Sequence, residues 1–507
     1  MRSFALSAAV VPLLSLSPAL AASTSTKNLA TRGNGYLRHP IRTVPGSPKL
    51  RRRQEVEATA PHNRGATYTI DIELGTPPQT VTVILDTGSN DLWVNPVCQT
   101  ANIPEYCAQF AQFDWTVSST FQDLEQAHII TYGKGNVTYQ WVADAVTIGG
   151  GTIPQQVFGV GLESYDIPMG ILGLSPSIQG PNAGDNYGFL LDSLVAERLI
   201  ESRAFSLDLR EIESSEGAVI FGGIDKGKFI GELERLPMLD PSETPVGADR
   251  YYIYLNGVGV TLPDGSALAS EPFELPVFLD SGGTYSRLPT VIFLAIGEAV
   301  PGAQYDPDSN LFVVDCDIAK EAGSMDFAFN NKVISVPWKD FIWDADNNGL
   351  CIVGVAEMEQ GGEPVFGDTF LRAAYVVYDQ DNRELHIAQA ANCGTNIVSI
   401  GSGTDAVPSG LTGDCEGSSA PTATVALDVT NTQAPTNVVT NGPKLTNAPG
   451  FGPGPAGKGI TTTLGGLTRP TDAPGPNGQK NGAPAASAVG NGALVALGVL
   501  QLAAFVL

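Results

Sequence analysis

The sequence predicts a mainly β protein built as two similar lobes around a central cleft. Three observations carry that expectation. Apolar stretches are short, alternate with period two and break at Gly- and Pro-rich turns. Helical windows are few, the best being 190–199 and 290–299. An internal repeat divides the body into comparable halves.

The strands follow in order. Residues 66–74 alternate around Tyr68, Ile70 and Ile72, then break at Gly75-Thr76-Pro77-Pro78. An apolar run resumes at Val81 and ends at Leu85. Gly149-Gly150-Gly151 reads as a strand-to-strand turn. Later strands are expected over 217–222, 251–260 and 373–378.

The repeat lies in the strand ends. One copy reads Val83-Ile84-Leu85-Asp86-Thr87-Gly88, the other Val277-Phe278-Leu279-Asp280-Ser281-Gly282. Each is answered by an apolar pair and glycine, Ile171-Leu172-Gly173 and Val365-Phe366-Gly367. The interval from Asp to the final Gly is 87 residues in both copies. A lone Asp-Thr-Gly is an ordinary turn; matched motifs at matched spacing are not.

The chemistry follows from the symmetry. A carboxylate at the end of a buried strand needs hydrogen bonds. Gly88 and Gly282 allow the tight turn that brings amide N–H groups to Asp86 and Asp280. Two carboxyl groups held together share one proton. Such a pair activates a water on one side and protonates on the other, which is general acid–base hydrolysis of a peptide bond. Ser89, three residues after Asp86, offers a hydroxyl to its outer oxygen. The matching place after Asp280 holds Gly283, so a water or Thr284 is expected to supply that bond.

Other chemistries have no footing. The net charge is −25, and all 53 acidic residues lie beyond residue 53, where they oppose nucleic-acid binding. The same acidity suggests a working pH below neutral. The four histidines, His39, His62, His128 and His386, show no metal-ligand spacing. No Gly-x-Ser-x-Gly elbow or phosphate-cradling loop is present. No metal and no cofactor is expected, and the partners are protein or peptide substrates of a monomer.

Both ends read as addresses. Residues 1–21 carry a basic start, an apolar run and Ala19-Leu20-Ala21, as in a secretory signal peptide. Residues 22–53 form a basic propeptide ending Arg51-Arg52-Arg53, expected to lie over the acidic cleft until processing. The body follows over 54–394, with lobes of about 62–235 and 236–394. From 395 to 481 the chain is rich in Ser, Thr, Pro and Gly, the composition of a disordered stalk. Asn481-Gly482-Ala483, a nine-residue spacer and fifteen mostly apolar residues then match a GPI-attachment signal, 482–507 being removed. Asn481 is the expected attachment residue, with Gly482 and Ser487 as alternatives; the membrane is reached through this lipid. Exported context implies disulfides, and six cysteines allow fifteen pairings. Proximity favours Cys98–Cys107, Cys316–Cys351 and Cys393–Cys415. Asn136-Val137-Thr138 is a glycosylation sequon.

From Ala66 to Gln389 the chain resembles the pepsin-type aspartic proteases. The resemblance rests on both Asp-(Thr/Ser)-Gly copies, on Ser89-Asn90-Asp91-Leu92-Trp93, on Ser118-Ser119-Thr120-Phe121 and on Ile130-Thr131-Tyr132-Gly133-Lys134-Gly135. It implies the bilobal pepsin-like fold and endopeptidase activity. It makes Tyr132 and Gly133 part of a flap over substrate, and Trp93 the support of Tyr132. It agrees with the first two cysteine pairs, while Cys393 and Cys415 lie beyond its pattern. Leader, acidic body, stalk and attachment signal together resemble the fungal yapsin-like, cell-surface branch, which implies cleavage at the surface, often beside basic residues. The alternatives are a catalytically silent peptide-binding relative and a structural wall protein.

Overall fold

The structure is a computed structural model that describes residues 30–45, 66–101, 103–133, 135–176, 187–211, 214, 217–344, 349–417, 425–430, 435, 438 and 460–462. The first lobe begins with Ala66–Leu74 paired antiparallel to Gln79–Asp86. Tyr68, Ile70, Ile72 and Leu74 are buried, so the alternation seen in the sequence is the core face of this strand. Gln79–Asp86 then pairs in parallel with Gly170–Gly173, Leu85 opposite Leu172 and Asp86 opposite Gly173.

The second lobe repeats the device. Leu275–Leu279 pairs in parallel with Val365–Phe366, Leu279 opposite Phe366. The two halves of the sequence repeat thus fold as the same parallel pair, each delivering an aspartate at its end.

A long sheet joins the lobes. Its order runs Phe229–Pro237, Glu384–Ala390, Ala374–Asp379, Ala204–Asp208, Gly217–Phe221, Tyr36–Pro45, Ala66–Leu74. The strand expected over 251–260 is two strands, Tyr252–Leu255 and Gly257–Thr261, which belong to different sheets. The helices are Leu190–Ala196 and Thr290–Ala299 among a few shorter turns. At the glycine run, Gly149 and Gly150 take φ of +58° and +80°. They turn the chain from Asn136–Ile148 into Gly151–Tyr165, a conformation that disfavours side chains.

Two expectations about the flanks are corrected. The described part of the basic segment does not lie over a cleft: Tyr36–Pro45 is a strand of the joining sheet, inserted between Gly217–Phe221 and Ala66–Leu74. Leu37, His39 and Ile41 are buried, and Arg42 pairs with Asp71 at 2.5 Å. Period-two burial overrode the basic composition. The run Arg51–Arg53 lies outside the described residues.

The residues after 394 are also not a stalk at first. Ile397–Ser399 pairs with Gly223–Asp225. Ile400, Ala406 and Val407 pack in a cluster with Phe229, Tyr375 and Val377. Further on, Val425–Ala426 lies in parallel beside Ala267–Ala269, and Ile460–Thr462 pairs with the edge of Gln122–Thr131. Three disulfides close Cys98–Cys107, Cys316–Cys351 and Cys393–Cys415. Among the described residues no helix is long and apolar enough to cross a membrane. The signal peptide and the attachment signal with Asn481 lie outside the described residues.

Candidate active site

Asp86 and Asp280 end their strands facing one another, 1% and 0% exposed. Their proximity shows in the glycines. A Cβ on Gly88 would stand 2.5 Å from Asp280 Oδ1, and one on Gly282 would stand 2.5 Å from Asp86 Oδ1. No side chain fits at either place, so each glycine makes room for the opposite carboxyl group.

The same turns supply donors. Gly88 N–H donates to Asp86 Oδ1 at 2.8 Å, and Gly282 N–H donates to Asp280 Oδ1 at 2.8 Å. The residues between are locked across the lobes. Thr87 Oγ1 donates to the Leu279 carbonyl at 2.8 Å, and Ser281 Oγ donates to the Leu85 carbonyl at 2.8 Å. Each hydroxyl also accepts the other's backbone N–H, at 2.9 and 3.1 Å. Every polar atom of this bridge is paired, which buries it without penalty and fixes the separation of the strand ends. This is the physical reason for Thr or Ser after each Asp.

Behind the turns stand the answering glycines. A Cβ on Gly173 would meet the Asn90 carbonyl carbon at 2.5 Å, and one on Gly367 the Gly283 carbonyl oxygen at 2.3 Å. The repeat therefore encodes close backbone support for both aspartate loops.

The symmetry fails at the outer oxygens. Ser89 Oγ donates to Asp86 Oδ2 at 2.5 Å. Asp280 Oδ2 is buried and takes no hydrogen bond from a described residue. Thr284 does not fill the gap: its carbonyl accepts from Thr369 N–H at 3.3 Å, and its hydroxyl does not reach Asp280. The expected back-reach fails; the backbone at 283–284 is held instead by Asp368 N–H donating to the Gly283 carbonyl at 2.7 Å and by the Thr369 contact. Burial raises the proton affinity of both carboxyls, and Ser89 and Gly88 partly offset this for Asp86. Asp280 is pushed well above the usual carboxylate range by burial and then by the charge of Asp86. Burial and mutual repulsion favour a shared proton, and the titration belongs to the pair.

Above the pair, Gln122–Thr131 and Asn136–Ile148 form a hairpin whose turn is closed by Tyr132 N–H donating to the Gly135 carbonyl at 3.0 Å. Tyr132 is 4% exposed, and Trp93 Nε1 donates to its hydroxyl at 2.8 Å. Burial pushes the Tyr132 hydroxyl well above its ordinary value, so it stays neutral. Gly133 sits exposed at the tip. Trp93 is thus hydrogen-bonded to Tyr132 through its indole N–H.

Sequence reasoning missed two groups. Asp91 accepts from Tyr139 at 2.7 Å and from Tyr187 at 2.8 Å, tying the loop after Ser89 to the base of the hairpin. Its position in Ser89-Asn90-Asp91 beside a buried Leu-Trp pair was the available signal. On the other side, Arg250 pairs with Glu363 at 2.6 Å against Phe278. Only the fold brings those two together. Among the described residues no group of His, Cys, Asp and Glu is placed to hold a metal ion.

The comparisons agree with this geometry. The family model for eukaryotic aspartyl protease matches residues 67–390. The probable aspartic-type endopeptidase OPSB of Arthroderma benhamiae is 35% identical over 370 residues, covering 68% of this chain and 73% of that protein. Candidapepsin-3 of Candida albicans is 33% identical, covering 67% and 83%. Barrierpepsin of Saccharomyces cerevisiae is 31% identical, covering 65% and 61%. The aspartic proteinase of Irpex lacteus shares the fold, with a TM-score of 0.54 at 19% identity over 70% of this chain and 98% of that one. With two such lobes around facing aspartates, the chain belongs to the eukaryotic aspartyl protease family and is a pepsin-like, aspartic-type endopeptidase.

Proposed function

We propose that Asp86 and Asp280 are the catalytic pair and that the enzyme cleaves proteins at acid pH on the outer face of the cell. The observation that carries the catalytic assignment is the mutual exclusion at Gly88 and Gly282: each Cβ would fall 2.5 Å from the opposite carboxyl. Ionised Asp86 takes a proton from a water as its oxygen attacks the substrate carbonyl carbon. Asp280 gives its proton to the carbonyl oxygen, leaving a neutral tetrahedral diol. Collapse of the diol breaks the C–N bond: Asp280 recovers a proton from a diol hydroxyl, and the proton on Asp86 passes to the leaving nitrogen. Tyr132 and Gly133 cover the substrate, and Trp93 holds Tyr132 in place. No metal and no covalent intermediate is needed for this balance.

The acid working range is supported by the −25 net charge and by the raised proton affinity of both carboxyls. The surface location is supported by the leader and the terminal attachment signal with Asn481. Cleavage beside basic residues is supported by the likeness to the yapsin branch. Asn136 starts the second strand of the hairpin and is half-buried, so a glycan there would stand beside the cleft.

The test is a peptide-library assay with the purified full chain from pH 3 to 7, with and without pepstatin. The proposal expects pepstatin-sensitive endoproteolysis that is fastest at acid pH. No cleavage, or cleavage indifferent to pepstatin, defeats it. Release of the chain from cells by a GPI-specific phospholipase tests the tether.

A further inference from the structure

The hairpin that leads to Tyr132 has one inner and one outer strand. Asn136–Ile148 is paired on both sides, with Gln122–Thr131 and with Gly151–Tyr165. Gln122–Thr131 has Asn136–Ile148 on one side, and its other neighbour is Ile460–Thr462, far along the tail. The pairing is antiparallel, with Ile460 opposite Ile129, Thr461 opposite His128 and Thr462 opposite Ala127. Ile129 stands three residues before Tyr132 in the same arm of the hairpin.

Such an edge needs a cover. A bare strand edge presents a row of N–H and C=O groups with which any extended chain can pair. This one also carries Leu124 and Ile129, 38% and 37% exposed. The tail holds a segment suited to it. Ile460-Thr461-Thr462-Thr463 is the longest β-branched run after residue 395, in a stretch otherwise broken by Gly and Pro. β-Branched residues favour the extended backbone. Main-chain pairing of this kind is how an extended peptide adds a strand to a sheet edge.

The same tail is fixed on the second lobe. Val425–Ala426 lies in parallel beside Ala267–Ala269, and Leu427 N–H donates to the Ala269 carbonyl at 2.7 Å. Leu427 is buried in the main core, and Val438 bridges to Tyr305. One chain segment thus has footholds on the second lobe and on the hairpin of the first. Tethering makes the last of these an intramolecular event, which favours docking of a short strand. A hairpin gains stiffness from a third strand.

We propose that the outer edge of Gln122–Thr131 is a strand-addition site whose occupant is the chain's own tail at Ile460–Thr462, and that the docked tail restrains the hairpin that closes over substrate. The docking stands on the strand pairing alone; the restraint on substrate rests on Asp86 and Asp280 being the catalytic pair. Lifting the tail off frees the hairpin to open and close faster. The closed state changes little, because the bond from Trp93 to Tyr132 and the aspartate turns keep their partners.

The experiment compares the full chain with the double variant Ile460→Pro, Thr461→Pro. Successive N–H groups of a strand point to opposite sides, so one of the two prolines removes a donor aimed at Gln122–Thr131. Hydrogen exchange over 122–131 is expected to quicken roughly fivefold to tenfold, while 136–148 keeps both neighbours and stays unchanged. Association and dissociation of pepstatin are both expected to quicken, with the affinity held within about twofold. A synthetic peptide of residues 457–465, added to the variant, is expected to restore slow exchange. Unchanged exchange over 122–131 in the variant overturns the proposal. So does protection in the parent that grows with protein concentration, which would give the edge to the tail of a second copy. Weaker pepstatin affinity without faster association defeats the restraint. A parent that does not bind pepstatin at all removes the catalytic reading, and the exchange measurement still decides the docking.

Discussion

Ser89 Oγ donates to Asp86 Oδ2 at 2.5 Å, while Gly283 stands at the matching place beside Asp280 and offers nothing. A Cβ on Gly283 would lie 3.5 Å from Asp280 Oδ2, an ordinary contact, so a serine fits there. Its hydroxyl would reach the outer oxygen and favour the charged form. Gly283→Ser should therefore move both limbs of the pH–rate profile to lower pH, by about half a unit to one unit. Ser89→Ala should move them upward. An unchanged profile in Gly283→Ser refutes the account of the asymmetry.

The flap depends on one buried hydrogen bond, from Trp93 Nε1 to the Tyr132 hydroxyl at 2.8 Å. Removing it costs about 1 kcal/mol, or roughly fivefold to tenfold in kcat/KM. Trp93→Phe and Tyr132→Phe should each show that loss, and the double variant should lose little more. Simple additivity of the two losses would show that the bond does not act as one unit.

Stability should fall as pH rises through the weakly acid range. Burial pushes the Asp208 carboxyl from 3.8 up to about 6, against the pull of Arg210 and Lys228. The folded state then binds more protons than the unfolded chain between those values. Stability is fully present below about pH 4 and is lost toward pH 6, by roughly 3 kcal/mol for this group. The buried carboxyls of Asp280 and Asp368 act in the same direction. Asp208→Asn should flatten the decline of Tm between pH 4 and 7; an equal slope in variant and parent counts against it.

Cys393–Cys415 pins the segment that continues the second lobe, where Ile400, Ala406 and Val407 are buried. Replacing both cysteines by serine should cost about 3 kcal/mol of stability by the loop-closure estimate. The loss should appear in Tm and in proteolysis within 395–417. Because this segment packs against Phe229, Tyr375 and Val377 of the joining sheet, kcat should stay within about twofold. A collapse of kcat with an unchanged Tm would reverse that assignment.

The aspartate turns were legible because their constraints are local. Asp, Thr or Ser, and Gly each have a backbone or packing reason that leaves a mark in three residues, and the repeat doubles the mark. Arg250 and Glu363 left none, since strand pairing across 113 residues creates their contact. Thr284 misled because spacing cannot show that the backbone there is held by Asp368 and Thr369, far away in sequence. Tyr36–Pro45 was hidden by its charge, although Leu37, His39 and Ile41 carried the period of a half-buried strand. The segment 395–417 looked like stalk because a few apolar residues and one disulfide are enough to dock it where a neighbouring strand offers an edge.

The central claim is that Asp86 and Asp280 share one proton and together hydrolyse the peptide bond. The most direct measurement is kcat for Asp86→Asn and Asp280→Asn on a neutral peptide from pH 3 to 6, with folding checked by Tm. Each variant should fold and should lose about four orders of magnitude in kcat at every pH. Retention of more than about 1% of the parent kcat by either folded variant, a loss under roughly 3 kcal/mol of transition-state stabilisation, would contradict the claim.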